Sequence, residues 1–226
     1  MISFLRELYM YPGRLENHDY KAYRLQNTSI EGDEYIPVVN NIIFRLIQES
    51  NPKELRIHPY LGDKSIWNNL KNMKDSYNKY IPQMHLNKTI NNSEEFCSLI
   101  KEVYENIMDT INKHKLGDKS IVYIIEASFD FTDEQRQELS KMISYIYTYG
   151  SVNGYYIMFV GRDIDDIIKT DIALKISTSK GENNDSCKQG IANIVSSDSS
   201  SSVYIPFYPD TFLTKFMRYY SVFCKE

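Results

Sequence analysis

A chain of 226 residues, 42% of them hydrophobic, is long enough for one domain of ordinary α/β size with a real core. Its formal net charge of −4 leaves no global basic field, which argues against direct nucleic-acid binding. Three scattered cysteines, Cys97, Cys187 and Cys224, have no metal or redox spacing. The histidines His18, His58, His85 and His114 form no ligand pattern, and no apolar run reaches membrane-spanning length. Met1 is followed by no basic stretch and apolar core, so no secretory leader is expected. A reducing, cytoplasmic setting fits this composition.

In chain order, residues 1–16 read as a short helical arm with Phe4, Leu5, Leu8 and Tyr9 on one face, stopped by Pro12-Gly13. The remainder, 17–226, reads as a single domain. Lys21 to Leu25 is an expected strand, and Gln26 to Glu34 an expected polar loop. Ile36, Val39, Ile42, Ile43, Leu46 and Ile47 then repeat at helical spacing, with Pro37 in the first turn. Strand, loop and helix is the layout that carries a phosphate-binding loop. Such a loop needs glycines whose backbone N–H groups wrap phosphate, a Lys, and a Ser or Thr for Mg²⁺. Here a single Gly32 is followed by Asp33 and Glu34. Two carboxylates at a helix start favour the helix dipole but repel a triphosphate.

Glu54 to Tyr60 reads as a second strand, followed by a polar loop Leu61–Ser65. Ile66 to Tyr80 is a weaker helix, and Gln83 to Leu86 a short edge strand. Asn92-Ser93 caps a long helix with Phe96, Leu99, Ile100, Val103, Ile107 and Ile111 on its apolar face. Next comes Ser120–Phe131, where Ile121 to Ile125 run unbroken and apolar until Glu126. That pattern marks a strand buried on both faces at the centre of a parallel sheet. An acid at its carboxyl end points into the crevice where α/β folds hold ligands, although a plain core strand that ends on a polar residue has the same pattern. Thr132 and Gln135 match a capping box for a helix through Tyr149. Tyr155–Val160 is a further strand, with a short helix near 164–169 and a strand at Ile172–Ile176. Ser186–Ile194 reads as a helix, the Ser-rich 196–202 as a mobile loop, Val203–Pro206 as an edge strand and Thr211–Phe223 as a final helix. The alternation predicts an α/β fold: an open, mainly parallel sheet with helices on both faces.

From about residue 18 to about 206 this order of parts resembles the bacterial FtsK/SpoIIIE ATPase superfamily, a P-loop NTPase-like (RecA-like) fold. Its members include the EssC/EccC motors of type VII secretion. Glu49–Ile57 is similar to the family's segment after the first helix, and Gly62-Asp-Lys64 to its Asp-Pro-Lys loop. Ile124–Phe131 is similar to the Walker B strand. Gly150–Ile167, with Ala173–Ile176 after it, is similar to the family's later glycine, strand and Arg pattern.

The departures point to a degenerate, non-hydrolysing domain. Asp33 and Glu34 stand where the family has the P-loop Lys and Ser/Thr, and Glu126-Ala127 where it has the Walker B Asp-Glu pair. Ser151 replaces an Arg thought to act in trans, and Gly161 replaces a Gln. The resemblance leaves a vestigial crevice of Gly32, Asp33, Glu34, Glu126 and Arg162, with no catalytic residue and no metal site. ATP and Mg²⁺ are not expected as cofactors. Simpler roles are helix-dipole chemistry for Asp33 and Glu34, and an ion pair with Asp163 or Asp165 for Arg162. The implied function is a scaffold, regulatory or substrate-docking module. Its partners would be proteins, an active motor ATPase or a secretion substrate, in the cytoplasm and held near the membrane through that motor; the family also forms oligomers. Two alternatives stand beside it. One is a nucleotide-binding protein or ATPase with a non-standard loop, in which Glu126 holds a metal. The other is an accessory protein of DNA transfer from a mobile element, against which the acidic charge and the weak Lys71, Lys74, Lys79 cluster argue.

Overall fold

In a computed structural model, the apolar run that ends on Glu126 is a strand whose neighbours on both sides run parallel to it. The structure describes residues 28–32, 35–49, 55–62, 89–113, 120–161, 174–180, 189–196 and 200–206. The expected elements at 1–16, 21–25, 66–80, 83–86, 164–169 and 211–223 lie outside these residues, as does the boundary at 17.

The chain order is β1 (Thr28–Gly32), α1 (Tyr35–Glu49), β2 (Leu55–Tyr60), α2 (Ser93–Asn112) and β3 (Ser120–Glu126). Then come α3 (Asp133–Tyr149), a 3-10 turn (Ser151–Asn153), β4 (Tyr155–Gly161), β5 (Leu174–Lys180), β6 (Gln189–Ser196) and β7 (Ser200–Pro206). One sheet holds all seven strands in the order β2-β3-β4-β1-β5-β6-β7. The pairs from β2 through β5 are parallel, and β5-β6 and β6-β7 are antiparallel. The fold is therefore α/β with a mainly parallel open sheet.

Four expectations need correction. The stretch read as a polar loop contains β1, the middle strand of the sheet. Ser29 and Ile30 are fully buried there, because β4 and β5 pair with both edges of the strand. Pairing on two sides outweighs the poor strand propensity of short polar residues. The run at 120–126 is accordingly an inner strand but not the central one. The helix expected at 186–194 is instead β6. In the Ser-rich segment, Ser196 closes β6 and Ser200–Ser202 open β7, opposite Asn193, Ile194 and Val195. A cross-strand ladder holds these serines in place, and local composition does not report it.

Alternation along the inner strands sends side chains to two faces. Tyr123, Ile125, Ala127, Ile157 and Phe159 form one core with Phe96, Ile100, Val103 and Ile107 of α2 and Leu139, Ile143 and Ile146 of α3. Val122, Ile124, Met158 and Val160 are equally buried on the opposite face, where α1 lies against β1, β4 and β5. On α1, Ile43 and Ile47 are completely enclosed. Helices thus cover both faces, as the alternating sequence predicts.

The starts of α2 and α3 are well capped. Asn92 rather than Ser93 is the cap of α2, accepting from the Glu95 N–H at 2.9 Å. The Glu95 carboxylate in turn accepts from the Asn91 N–H. At α3 the capping box forms as predicted: Thr132 accepts from Gln135 N–H at 3.2 Å, and Gln135 accepts from Thr132 N–H at 3.0 Å.

Candidate functional site

Parallel strands leave their carboxyl ends at one edge of the sheet, where connections to the helices open a crevice. β3 ends there on Glu126, level with Val160 of β4, which is itself level with Ile30 of β1. With strands about 4.8 Å apart, Glu126 stands about 10 Å across the sheet from β1. Its side chain alternates with Ile125 and Ala127, so it lies on the face that α1 covers.

Both carboxylate oxygens of Glu126 are engaged. The Tyr35 hydroxyl, on the first residue of α1, donates to Oε1 at 2.6 Å. The Gly62 backbone N–H, just past the end of β2, donates to Oε2 at 2.5 Å. One acid thus ties together the end of β3, the start of α1 and the end of β2. Charge-assisted hydrogen bonds of this kind contribute about 1.5–3 kcal/mol each when shielded from water, and less at this half-buried carboxylate. The carboxylate approaches Gly62 closely: a Cβ there would sit 2.8 Å from Oε2, so the end of the Glu126 side chain would have to shift. Tyr35, Ile36, Val39 and Leu61 line the space left beside Glu126, which has room for about one water molecule.

Of the five residues expected at the crevice, the structure places Gly32 and Glu126. Gly32 ends β1 in register with Thr178 of β5. Asp33, Glu34 and Arg162 lie outside the described residues. Chain length nevertheless constrains the loop, because two residues separate the end of β1 from the start of α1. A phosphate-wrapping loop spans eight positions from its first glycine to its Ser or Thr, most of them outside strand and helix.

Two further positions change meaning in three dimensions. Ala127 is fully buried in the apolar core beneath α2 and α3, among Ile125, Phe131 and Phe159. The position after Glu126 therefore faces away from the crevice. Gly161 closes β4 against the segment after β3, and a Cβ there would meet Ser128 Oγ at 3.0 Å and the Ala127 carbonyl oxygen at 3.3 Å. A longer side chain at 161 would collide with that segment. Ser151 lies in the turn before β4, at the opposite end of the sheet from Glu126.

Sequence reasoning missed Tyr35, and noted Gly62 only as part of a loop. No local pattern marks a contact between positions 91 apart. Among the described residues, no group of three or more His, Cys, Asp or Glu side chains could hold a metal ion, and no helix is long and apolar enough to cross a membrane.

No family model matches this sequence, and no curated protein matches it. Among solved structures, the chain is similar to EssC (ATPases 2 and 3) from Geobacillus thermodenitrificans, with a TM-score of 0.51 and 14% identity. The match covers 88% of this chain and 43% of that one, so this chain spans less than half of that structure's length. At this identity the likeness bears on fold alone: a mainly parallel α/β fold of the P-loop NTPase-like kind, similar to that of those domains.

Proposed function

We propose that this chain is a non-hydrolysing ATPase-fold module that works by contact with other proteins, as a scaffold, regulator or substrate-docking element of an EssC- or FtsK-type motor. The observation that carries the reading is the closed state of Glu126. The acid that would face Mg²⁺ and water in a working member has both oxygens held by Tyr35 and Gly62. The two-residue connection between β1 and α1 supports the same reading, since phosphoryl transfer depends almost wholly on positioning and on neutralising phosphate charge. Ala127, turned into the apolar core, puts no acid at the position after Glu126, where the resemblance has the one that polarises a water. The setting proposed is type VII-like protein secretion in the cytoplasm, with the module near the membrane only through its motor partner.

Thermal unfolding with and without millimolar Mg²⁺-ATP tests this. A ligand at about 100 times its Kd adds about 2.7 kcal/mol. Each kcal/mol moves the midpoint of a domain this size by about 2–4 °C. The expected result is no shift. A rise of several degrees would overturn the reading and make the chain a nucleotide-binding protein with a non-standard loop.

A further inference from the structure

The turn between α3 and β4, at the end of the sheet away from the crevice, holds a chemically reactive pair. Asn153-Gly154 is the single Asn-Gly step in the chain. Asparagine is a thermolabile side chain. Glycine has no Cβ, so it leaves the backbone nitrogen after the asparagine unshielded. Gly154 has φ 81° and ψ 16°, in the left-handed region. That backbone calls for glycine, so the fold itself keeps the reactive neighbour beside Asn153. Both residues are half-buried, and water reaches them.

In the folded chain the Asn153 amide has work of its own. Its Nδ2 donates to the carbonyl oxygen of Tyr149 at 2.7 Å. Tyr149 is the last residue of α3, and the last turn of that helix holds no basic residue. Terminal carbonyls carry partial negative charge and need donors, and this amide supplies one. The Gly154 N–H donates to the Ser151 carbonyl at 3.2 Å, and the Gly154 carbonyl accepts from the Ile121 N–H of β3 at 2.7 Å. The turn therefore sets where α3 stops and how β4 enters the sheet. With Nδ2 committed to Tyr149 and the Gly154 N–H to Ser151, the pair reacts only when the turn opens.

We propose that Asn153 is a site of spontaneous modification gated by this turn. In the open turn hydroxide takes the proton of the Gly154 nitrogen, which then attacks Asn153 Cγ. The bond from Cγ to Nδ2 breaks, ammonia leaves with a proton from water, and a cyclic imide remains. Water opens that ring at either carbonyl. Opening at Cγ gives aspartate; opening at the main-chain carbon gives isoaspartate, whose backbone runs one carbon longer through the former side chain. Nothing is oxidised or reduced. Either product is a carboxylate that offers the Tyr149 carbonyl no donor and sets negative charge against the negative end of α3. Isoaspartate also displaces the Gly154 carbonyl from Ile121. The turn cannot close again as before, so the change is one-way. This inference goes beyond the protein-contact reading and does not depend on it.

The test incubates the full chain at mildly alkaline pH, below its unfolding midpoint, and follows its proteolytic fragments by mass spectrometry. A synthetic peptide spanning 149–157 is the ungated reference. Conversion should appear at Asn153 ahead of Asn92, whose neighbour Ser93 carries a Cβ. It should be about tenfold or more slower than in the peptide, because the folded chain waits on local opening. Asn153→Asp, which reproduces one product, should lower the thermal midpoint by about 2–4 °C or more. No conversion at Asn153 while the peptide converts would overturn the site. Conversion as fast as in the peptide would overturn the gate, and an unchanged midpoint for Asn153→Asp would overturn the loosening.

Discussion

The Tyr35 hydroxyl and the Glu126 carboxylate meet at 2.6 Å although 91 positions separate them in sequence. The contact ties the start of α1 to the end of β3 across the crevice. Tyr35→Phe keeps the ring and removes the donor, leaving Oε1 beside Ile36, Val39 and Leu61. The expected loss is about 1–2 kcal/mol, or a midpoint lower by about 2–8 °C. A double-mutant cycle with Glu126→Ala should give a coupling of at least about 0.5 kcal/mol. Strict additivity of the two substitutions would show that the pair contributes nothing to the fold.

Gly62→Ala should act through the same carboxylate. The added Cβ falls 2.8 Å from Oε2, so the carboxylate must shift, which disturbs its hydrogen bonds to Tyr35 and to the backbone N–H of residue 62. A penalty of about 1–2 kcal/mol is expected in the native background. It should nearly vanish when Glu126→Ala removes the obstacle. Urea midpoints of the four combinations decide this, and an equal penalty in both backgrounds would locate the strain elsewhere.

How much of this was legible in the sequence depends on the range of each interaction. The helix faces of α2 and α3, the Thr132–Gln135 capping box and the Ile121–Ile125 strand were readable because neighbours within one turn or one strand write them. Glu126 at the strand end was readable for the same reason. β1, β6 and the first half of β7 were not, because residues such as Ser29 or Ser200–Ser202 become strands only through partners far along the chain, whereas Val203–Pro206 was readable as an edge strand. Tyr35 and the role of Gly62 were hidden likewise: nothing near Tyr35 announces a carboxylate contributed by β3.

Ala127→Glu would restore the second acid of a Walker B pair in sequence but not in space. The side chain enters the apolar core with Ile125, Phe131 and Phe159. A carboxylate placed there without partners should cost about 4 kcal/mol or more. Thermal unfolding should show a strongly lowered midpoint, and a phosphate-release assay no turnover. A stable variant that hydrolyses ATP would show that position 127 reaches the crevice.

Asp33→Lys with Glu34→Ser should likewise give no ATPase activity. The substitutions supply the charge of a phosphate-binding loop but not its length, since β1 and α1 remain two residues apart. Glu126 also remains engaged by Tyr35 and Gly62. Phosphate release above the wild-type background in this double variant would show that charge alone was the missing element.

Alkaline pH should expose the tyrosines packed between β2, β3 and α2. Burial, and then the Glu102 carboxylate, push the Tyr60 phenol from its usual 10.0 up to about 12. Burial is also the largest cause raising Tyr123, which stacks on Tyr60 with centroids 6.5 Å apart. A phenol loses its charge-free form on ionising, so folding favours the protonated state. Below about pH 10 both folded and unfolded chains hold these protons, and their contribution to stability is constant. Between about pH 10 and about pH 12 the unfolded chain releases them while the folded chain keeps them, so stability should fall as pH rises. Urea midpoints followed across that window should decline less steeply for Tyr60→Phe and Tyr123→Phe than for the wild type. Identical slopes in all three proteins would assign the alkaline loss to other groups.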